Sequence, residues 1–284
     1  MKKISGELQI DRFLVPYRVY GEGDAILVCL SGAKQTMSAW KSVIAYFHKQ
    51  YRVLVFDMPG QGRAEILSGS PRVEMEEQMA VVHALAEQVG VQASQHAIIA
   101  GASWGAVLAA AYCERYPEDF DQAVLGSFGT KPNMVLKSVI KQVQTLIDEG
   151  RAKDIAPMMI DQFGQYIPDT LKKQILLQFE SMSDEQFRAF YEHSLLVTEM
   201  EDLTHYVDLS RIRVETLVIM GQYDTIMDLF DTKKAAEKIP NSRYHLQKGV
   251  GHFLHWEDDR VLQVYEDFFV NGLAEQEKRK VDQS

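Results

Sequence analysis

The sequence of 284 residues predicts an α/β protein with a mostly parallel sheet, helices on both faces and a helical insertion. Three observations carry this prediction. Short apolar runs, typical of strands covered on both faces, alternate with stretches of helical length. Between about residues 131 and 211 the strand-like runs stop, and four helical stretches follow one another. The alternation of strand and helix then resumes and continues to near the end of the chain.

The first half of the chain supplies most of the predicted sheet. Two loosely alternating stretches, separated by Asp11 and Arg12, predict an opening antiparallel hairpin. The later strands are predicted from unbroken apolar runs, and the helices from longer stretches between them. The predicted strands span residues 7–11, 13–20, 25–30, 52–57, 96–100 and 122–127, and the predicted helices span 38–50, 73–89 and 106–116.

The second half contains the insertion and the last two strands. Proline and glycine punctuate the insertion, as expected at helix ends. Its predicted helices span residues 135–148, 155–166, 170–182 and 184–200; strands at 215–221 and 244–247 and helices at 232–239 and 259–273 follow. The charged tail, residues 274–284, is predicted to fray. These boundaries predict a core domain of residues 1–130 and 212–284 and a helical cap of residues 131–211.

Composition and charge argue against several classes of function. The net charge of −10 disfavours a nucleic-acid-binding surface. Cys29 and Cys113 lie in apolar stretches and are predicted to be buried free thiols, which fits a reducing compartment. No signal peptide is visible, and no apolar run approaches the roughly 20 residues of a membrane span. We therefore expect a cytoplasmic protein.

The segment from Gly101 to Gly105 contains a serine, Ser103, between two glycines. An apolar strand precedes it and an alanine-rich helix follows it. A serine on such a strand-to-helix turn is the context of a G-x-S-x-G nucleophile elbow, where the glycines allow a tight, strained turn. Ser103 is therefore the candidate nucleophile, with a structural glycine-rich turn as the alternative.

A serine nucleophile needs a base, and the base needs a group that fixes its tautomer. In a parallel sheet these groups come from loops at the carboxyl ends of strands. Asp224 follows the strand after the insertion, and His252 follows the last strand. We predict a Ser103–Asp224–His252 triad, whose chain order is that of α/β hydrolases. Asp228 and His255 are the nearby alternatives for the acid and the base.

Two backbone amides are candidates for the oxyanion hole. The Trp104 N–H follows the nucleophile and opens a helix, so it can donate to an oxyanion. The Ala33 N–H lies in the loop after the first buried strand, although a plain glycine turn is the alternative there. Asp57, in a loop with several glycines, is interpreted as structural. No metal-ligand spacing and no nucleotide-binding motif is present, so no cofactor is expected.

Over essentially its whole length the chain resembles the α/β-hydrolase superfamily. This resemblance implies an eight-stranded sheet, a helical cap after the sixth strand and an acyl-enzyme mechanism without a cofactor. Several stretches are more similar to the 3-(3-hydroxyalkanoyloxy)alkanoate synthase family of rhamnolipid biosynthesis, which joins two 3-hydroxyacyl chains. The stretches that carry this narrower resemblance are residues 31–33, 102–105, 164–168 and 251–254.

Three functional hypotheses follow. The first is a serine esterase or acyl hydrolase with a small-molecule ester or thioester substrate; the second is a 3-hydroxyacyl transferase. The third is a ligand receptor that keeps the fold without turnover. Large apolar residues of the predicted cap either line an acyl-chain pocket or simply pack its helices onto the core. For assembly, a homodimer is compatible with the sequence, which leaves the oligomeric state open.

Overall fold

The computed structural model describes residues 1–272, so the predicted tail and the predicted end of the last helix at Leu273 lie outside the described residues. The strands are β1 Lys3–Ile10, β2 Phe13–Tyr20, β3 Ala25–Leu30, β4 Tyr51–Phe56, β5 Glu65–Ile66, β6 Ala97–Ala102, β7 Gln122–Gly126, β8 Glu215–Gly221 and β9 Ser242–Gln247. The helices are α1 Lys41–Phe47, α2 Met75–Val89, α3 Trp104–Arg115, α4 Met134–Asp148, α5 Ile155–Phe163, α6 Asp169–Glu180, α7 Asp184–Glu199, α8 Leu229–Lys238 and α9 Arg260–Asn271.

The strands form one mixed sheet in the order β1-β2-β4-β3-β6-β7-β8-β9. The hairpin β1–β2 and the pair β2–β4 are antiparallel, whereas every neighbouring pair from β4 to β9 is parallel. The expected eight-stranded, mostly parallel sheet is confirmed along this path. The two-residue strand β5, which pairs with β2, makes a ninth strand that the sequence did not predict. It is too short to produce a hydrophobic pattern.

Helices cover both faces of the sheet, and the side chains of β3 show why its sequence is apolar throughout. Ile26, Val28 and Leu30 pack on one face, in a cluster that includes residues of α2, α3 and α8. Leu27 and Cys29 pack on the other face, with residues of α1 and α9. Because successive side chains of a strand point to opposite faces, both sets are buried only when both faces are covered.

Both cysteines lie inside the fold, as the sequence predicts. Cys29 on β3 and Cys113 on α3 are buried and make no disulfide. Burial raises the pKa of the Cys113 thiol to about 12. Both residues therefore act as small apolar core residues rather than as reactive thiols.

The helices α4–α7 lie between β7 and β8 in the chain, and we call them the inserted helices. Helix α4 packs on α7 and α5 packs on α6. Their shared apolar cluster also includes Ile226 and Phe253, which lie in the loops after β8 and β9. The inserted helices therefore lie against the carboxyl ends of the parallel strands.

Helix α5 ends at Phe163, three residues before the predicted end at Tyr166. The next residue, Gly164, packs so closely that a Cβ there would lie 2.9 Å from the Ile160 Cα. Pro168 then precedes α6. Among residues 1–272, no helix combines the length and the apolar composition needed to cross a bilayer.

Candidate active site

Ser103 lies on the turn between β6 and α3 with φ 54° and ψ −118°, a strained conformation for a residue with a side chain. Its N–H donates to the Gly126 carbonyl oxygen at 2.8 Å. A Cβ at Gly101 would lie 2.2 Å from the Gly105 oxygen, and one at Gly105 would lie 2.0 Å from the Leu30 oxygen. Both glycines are therefore required by the close approach of backbone around the serine.

Asp224 and His252 are brought together from the loops after β8 and β9. The Asp224 Oδ2 lies 2.8 Å from the His252 Nδ1, and both side chains are almost fully buried. The other carboxylate oxygen of Asp224 accepts the N–H groups of Ile226 and Met227, each at 3.1 Å. These bonds fix the carboxylate, and its bond to Nδ1 leaves the Nε2 of His252 available as a base.

Ser103 and His252 line the same cavity. Within the described residues, the structure shows no hydrogen bond between the Ser103 hydroxyl and the imidazole. Hydrogen bonds of this kind are often long in unliganded enzymes and tighten when substrate binds. The side chains of Ser103 and His252 therefore share one cavity without being hydrogen-bonded to each other.

The loop of His252 is held by two residues that sequence reasoning missed. The Glu257 carboxylate accepts the N–H of Gly251 and, at 3.0 Å, the N–H of Phe253, which flank the histidine. The Ser127 hydroxyl donates to the His252 carbonyl oxygen at 2.6 Å. Burial raises the pKa of Glu257. The only sequence indication of this role is an acidic residue five positions after the candidate base.

The alternative residues have other roles in the structure. Asp228 is exposed and accepts the N–H groups of Phe230 and Asp231, so it caps the start of α8. His255 is buried, stacks on Trp40 with ring centroids 5.0 Å apart, and lies 3.3 Å from the Ala39 oxygen through its Nε2. Burial lowers the pKa of His255 to about 4. The geometry therefore favours Asp224 and His252 as the acid and base.

The two candidate oxyanion donors belong to residues that line the same cavity as Ser103. Trp104 is the first residue of α3, so its N–H has no acceptor within the helix. Ala33 lies in a tight turn after β3, which a bond from the Gln35 N–H to the Gly32 oxygen closes at 3.1 Å. Ala33, Trp104 and Ser103 all line the same cavity. The N–H groups of Ala33 and Trp104 therefore remain the candidate donors to a carbonyl group bound in this cavity.

Asp57, expected to be structural, is buried in the loop after β4. Its carboxylate oxygens accept the N–H of Met37 at 2.7 Å and the N–H of Arg63 at 3.0 Å. A Cβ at Gly62 would lie 2.4 Å from the same carboxylate. The carboxylate therefore organises two backbone segments and does not line the cavity of Ser103.

The cavity above Ser103 has a volume of about 150 Å³ and lies between the sheet edge and the inserted helices. In an engineered protein, an apolar cavity of about this size binds benzene, so the space is large enough for an apolar group of about six carbons. A second cavity of about 60 Å³ shares Ala33, Gln35, Met159, Phe163 and Phe253 with the first. The apolar wall of the first cavity includes Val107, Val139, Ile140, Val143, Met159 and Phe190.

His193 of α7 is a polar residue in the wall of this largely apolar cavity. Its ring packs edge to face on Trp104 at 4.7 Å. Its Nε2 is buried without a hydrogen-bond partner among the described residues. Burial, with the charge of Lys34 as the smaller cause, lowers the pKa of His193 to about 3. The Nε2 of the neutral imidazole can therefore donate a hydrogen bond to a polar group of a ligand or accept one from it, depending on the tautomer.

A mostly parallel sheet with a strained serine at a strand-to-helix turn and an Asp–His pair at later strand ends defines the α/β-hydrolase class. Comparison with known protein families agrees: the family model described as "alpha/beta hydrolase fold" matches residues 25–259. The chain belongs to this family. Within residues 1–272, no group of three or more His, Cys, Asp or Glu side chains is arranged to hold a metal ion.

Individual relatives are distant and differ in activity. The chain is 23% identical over 252 residues to a (R)-3-hydroxydecanoyl-ACP:CoA transacylase of Pseudomonas putida, covering 85% of this chain and 83% of the relative. It is 25% identical over 266 residues to a 2-hydroxy-6-oxononadienedioate/2-hydroxy-6-oxononatrienedioate hydrolase of Paraburkholderia phymatum, covering 89% and 90%. The crystal structure of an α/β hydrolase from a deep-sea metagenome library superposes with a TM-score of 0.78 at 19% identity, covering 93% and 97%.

Proposed function

We propose that this protein is a serine acyl hydrolase that cleaves carboxylic ester or thioester bonds through an acyl-enzyme intermediate. The observation that carries the proposal is the Asp224–His252 pair, in which Oδ2 and Nδ1 lie 2.8 Å apart. His252 and Ser103 line the same cavity. Membership of the α/β hydrolase fold family supports the same chemistry.

In the first half of the reaction, the Ser103 oxygen attacks the carbonyl carbon and His252 takes the serine proton through Nε2. The Ala33 and Trp104 N–H groups donate to the tetrahedral oxyanion. When the carbon–oxygen or carbon–sulfur bond breaks, His252 gives its proton to the leaving alcohol or thiol. Asp224 holds the imidazole in the required tautomer and stabilises its charged form.

In the second half, water attacks the acyl-serine carbonyl and gives a proton to His252. The tetrahedral intermediate collapses, the bond between the Ser103 oxygen and the acyl carbon breaks, and the free acid leaves. His252 then returns the proton to the Ser103 oxygen. No cofactor enters this cycle.

We infer that residues 131–211 act as a cap over this site, with residues 1–130 and 212–284 as the core. The cavity supports this division because its walls come from both parts: Ser103 and His252 from one, Val139 and Phe190 from the other. The largely apolar cavity of about 150 Å³ suits an acyl chain, and the adjoining cavity of about 60 Å³ offers further space beside it. Phe187 is buried among the inserted helices and packs the cap itself, whereas Phe179 packs there and also lines the smaller cavity.

The test is a panel of p-nitrophenyl esters from acetate to decanoate, measured with the wild type, Ser103→Ala and Ser210→Ala. Ser210 is an exposed serine that does not line the cavity. We expect turnover by the wild type and Ser210→Ala and a loss of at least about 1000-fold in Ser103→Ala. Absence of Ser103-dependent turnover on every ester would refute the hydrolase and favour a ligand receptor.

Covalent labelling gives an independent readout that does not depend on the choice of ester. A fluorophosphonate reacts with an activated serine, so peptide mapping should find the label on Ser103. The label should be absent in Ser103→Ala and unchanged in Ser210→Ala. A label on another serine would contradict the assignment of the nucleophile.

A second candidate function is acyl transfer of 3-hydroxyacyl groups, in which a hydroxyl or thiol replaces water in the second half of the reaction. The transacylase from Pseudomonas putida favours it by its name. His193 also favours it, because its unpartnered Nε2 could bond a hydroxyl on the acyl chain.

Mass spectrometry separates transfer from hydrolysis. The enzyme is incubated with 3-hydroxydecanoyl thioesters of coenzyme A, with and without added acyl carrier protein. Transfer predicts an ester-linked dimer or a new thioester, whereas hydrolysis predicts only 3-hydroxydecanoic acid. Free acid as the sole product under both conditions would reject the second candidate and retain the first.

A further inference from the structure

The turn that carries Ala33 continues into a buried lysine. Lys34 is only 7% exposed and adopts φ 58°, a left-handed conformation that is costly for a residue with a side chain. The turn is closed on its other side, where the Gly32 N–H donates to the Gln35 side-chain oxygen at 2.9 Å. The position of the Ala33 N–H is therefore determined partly by how Lys34 is held.

Lys34 is held by partners from two parts of the fold. Its ammonium donates to the Gly60 oxygen in the loop after β4 at 2.7 Å and to the Gln186 oxygen in α7 at 2.8 Å. Its own carbonyl oxygen accepts the Gln178 side-chain N–H from α6 at 3.1 Å. The ammonium also lies 5.5 Å from the ring centre of Phe190 in α7. Three of these four contacts reach the inserted helices.

We propose that Lys34 is a positioning residue that couples the inserted helices to the oxyanion turn, so that the Ala33 N–H is aimed correctly only while α6 and α7 lie against the core. The inference rests on the proposed acyl-transfer chemistry of Ser103 and on the donor role of Ala33. Movement of α6 and α7 away from the core would remove the Gln178 and Gln186 contacts of Lys34 together.

A purely structural role explains the arrangement less well. Burying a cation is costly, and burial lowers the pKa of Lys34 to about 7. An apolar side chain of similar length would fill the same space without that cost. The amine can donate to both carbonyl oxygens in either charge state, and these two bonds give it a direction that an apolar side chain lacks. The two hydrogen bonds of the Lys34 amine therefore fix the orientation of the turn that carries Ala33.

A second bridge in the same region strengthens the coupling. The Gln186 side chain donates to the Gly62 oxygen at 2.8 Å, so α7 is tied to the loop after β4 as well as to Lys34. A Cβ at Gly60 would lie 3.0 Å from the Ala189 Cβ, which shows how closely α7 approaches this loop. The start of α7, the loop after β4 and the oxyanion turn therefore form one hydrogen-bonded unit.

The experiment measures kcat and KM on p-nitrophenyl butyrate for wild type, Lys34→Met, Gln178→Ala and the double variant. Loss of a well-placed oxyanion donor typically lowers kcat by about 100-fold, so we expect a 10-fold to 100-fold decrease in Lys34→Met with KM changed by less than about threefold. Gln178→Ala should lower kcat less, by about threefold to tenfold, because it removes one of the four contacts of Lys34 and leaves those to Gly60, Gln186 and Phe190 in place. The double variant should be no slower than Lys34→Met, since both changes disable the same coupling.

Controls separate this inference from a general loss of stability and from the proposed function. Lys41→Met removes an exposed lysine from α1 and should leave kcat unchanged. If Lys34→Met does not fold, Lys34→Gln replaces it; its amide NH2 keeps donor capacity but is uncharged and reaches less far, so kcat should be intermediate. A wild type without Ser103-dependent turnover refutes the proposed function itself. An active wild type whose kcat is unchanged in the Lys34 variants, or whose single effects multiply in the double variant, refutes only the coupling.

Discussion

A Cβ added to Gly221 would lie 1.9 Å from the carbonyl oxygen of Gly251, a distance that no real side chain reaches. Gly221 ends β8, just before the loop of Asp224, and Gly251 directly precedes His252. Only a residue without a side chain lets the two loops approach closely enough for the carboxylate to meet the imidazole. The alignment of the acid and the base is therefore built into the backbone.

Gly221→Ala should separate the two loops and misalign the Asp224–His252 pair. We expect ester turnover to fall by at least about 100-fold, because small displacements of catalytic groups are this costly. The melting temperature should fall as well, since the clash involves backbone atoms. Stopped assays of p-nitrophenyl butyrate hydrolysis and thermal unfolding of the same preparation measure both effects.

Gly150→Ala is the matched control for this substitution. Gly150 has φ 71° but nothing within 4 Å of an added Cβ, so the change costs only the roughly 1–2 kcal/mol of a left-handed residue. Its turnover should equal that of the wild type. Equal activity of Gly221→Ala and Gly150→Ala would show that the close approach does not align the pair.

Asp224→Asn tests the acid by replacing one carboxylate oxygen with an amide NH2 group. An amide cannot stabilise the charged imidazole and favours the wrong tautomer, so kcat should fall by about 1000-fold to 10,000-fold. Asp228→Asn makes the same chemical change four residues later, where the side chain only caps α8. Asparagine caps a helix about as well as aspartate, so that variant should keep wild-type kcat and stability. Similar losses in both variants would contradict the assignment of Asp224.

Glu257→Gln tests the support of the His252 loop. The amide keeps one oxygen acceptor but replaces the other with a donor, so one of the N–H groups of Gly251 and Phe253 loses its partner. We expect kcat to fall about tenfold with little change in KM, because the histidine transfers protons in the transition state and contributes little to substrate binding. Asp258→Asn, which loosens a pair with the exposed Arg260, is the control. A change confined to KM or to stability would reject this role.

Most of the fold was predictable because the determinants are local. The run from Ala25 to Leu30 is apolar on both faces, so it predicts a parallel strand between helix layers. The strained turn at Ser103 was predictable because the glycines that permit it are its neighbours in sequence. Asp224 and His252 are 28 residues apart, but each follows a predicted strand, and parallel strand ends meet at one sheet edge.

The parts that escaped prediction depend on distant contacts. Lys34 and Gln186 are 152 residues apart, and no local pattern indicates that a lysine in a turn will be buried beneath an inserted helix. His193 resembles any other histidine on a polar helix until the cavity is assembled around it. The apolar residues of the insertion serve both of the roles left open by the sequence: Phe190 lines the cavity, and Phe187 packs only within the helical cluster.

The buried imidazoles of His255 and His193 predict acid sensitivity of the fold. Burial lowers the pKa of His255 to about 4 and that of His193 to about 3, whereas both titrate near 6.5 in the unfolded chain. Between pH 6.5 and these lower values the unfolded state binds protons that the folded state does not. The contribution of these two histidines to the free energy of unfolding is therefore fully present above pH 6.5 and is lost as the pH falls below that value.

His255→Gln should remove part of this pH dependence, since glutamine can still donate to the Ala39 oxygen but does not titrate. The wild type should lose about 3 kcal/mol more than the variant between pH 6.5 and pH 4, which is the free energy that corresponds to the pKa shift of His255. Urea unfolding of both proteins at half-unit steps from pH 7 to pH 4 measures the difference, because the carboxyl groups contribute equally to both. Parallel stability curves over this range would mean that His255 is protonated in the folded protein, against its burial and its stacking on Trp40.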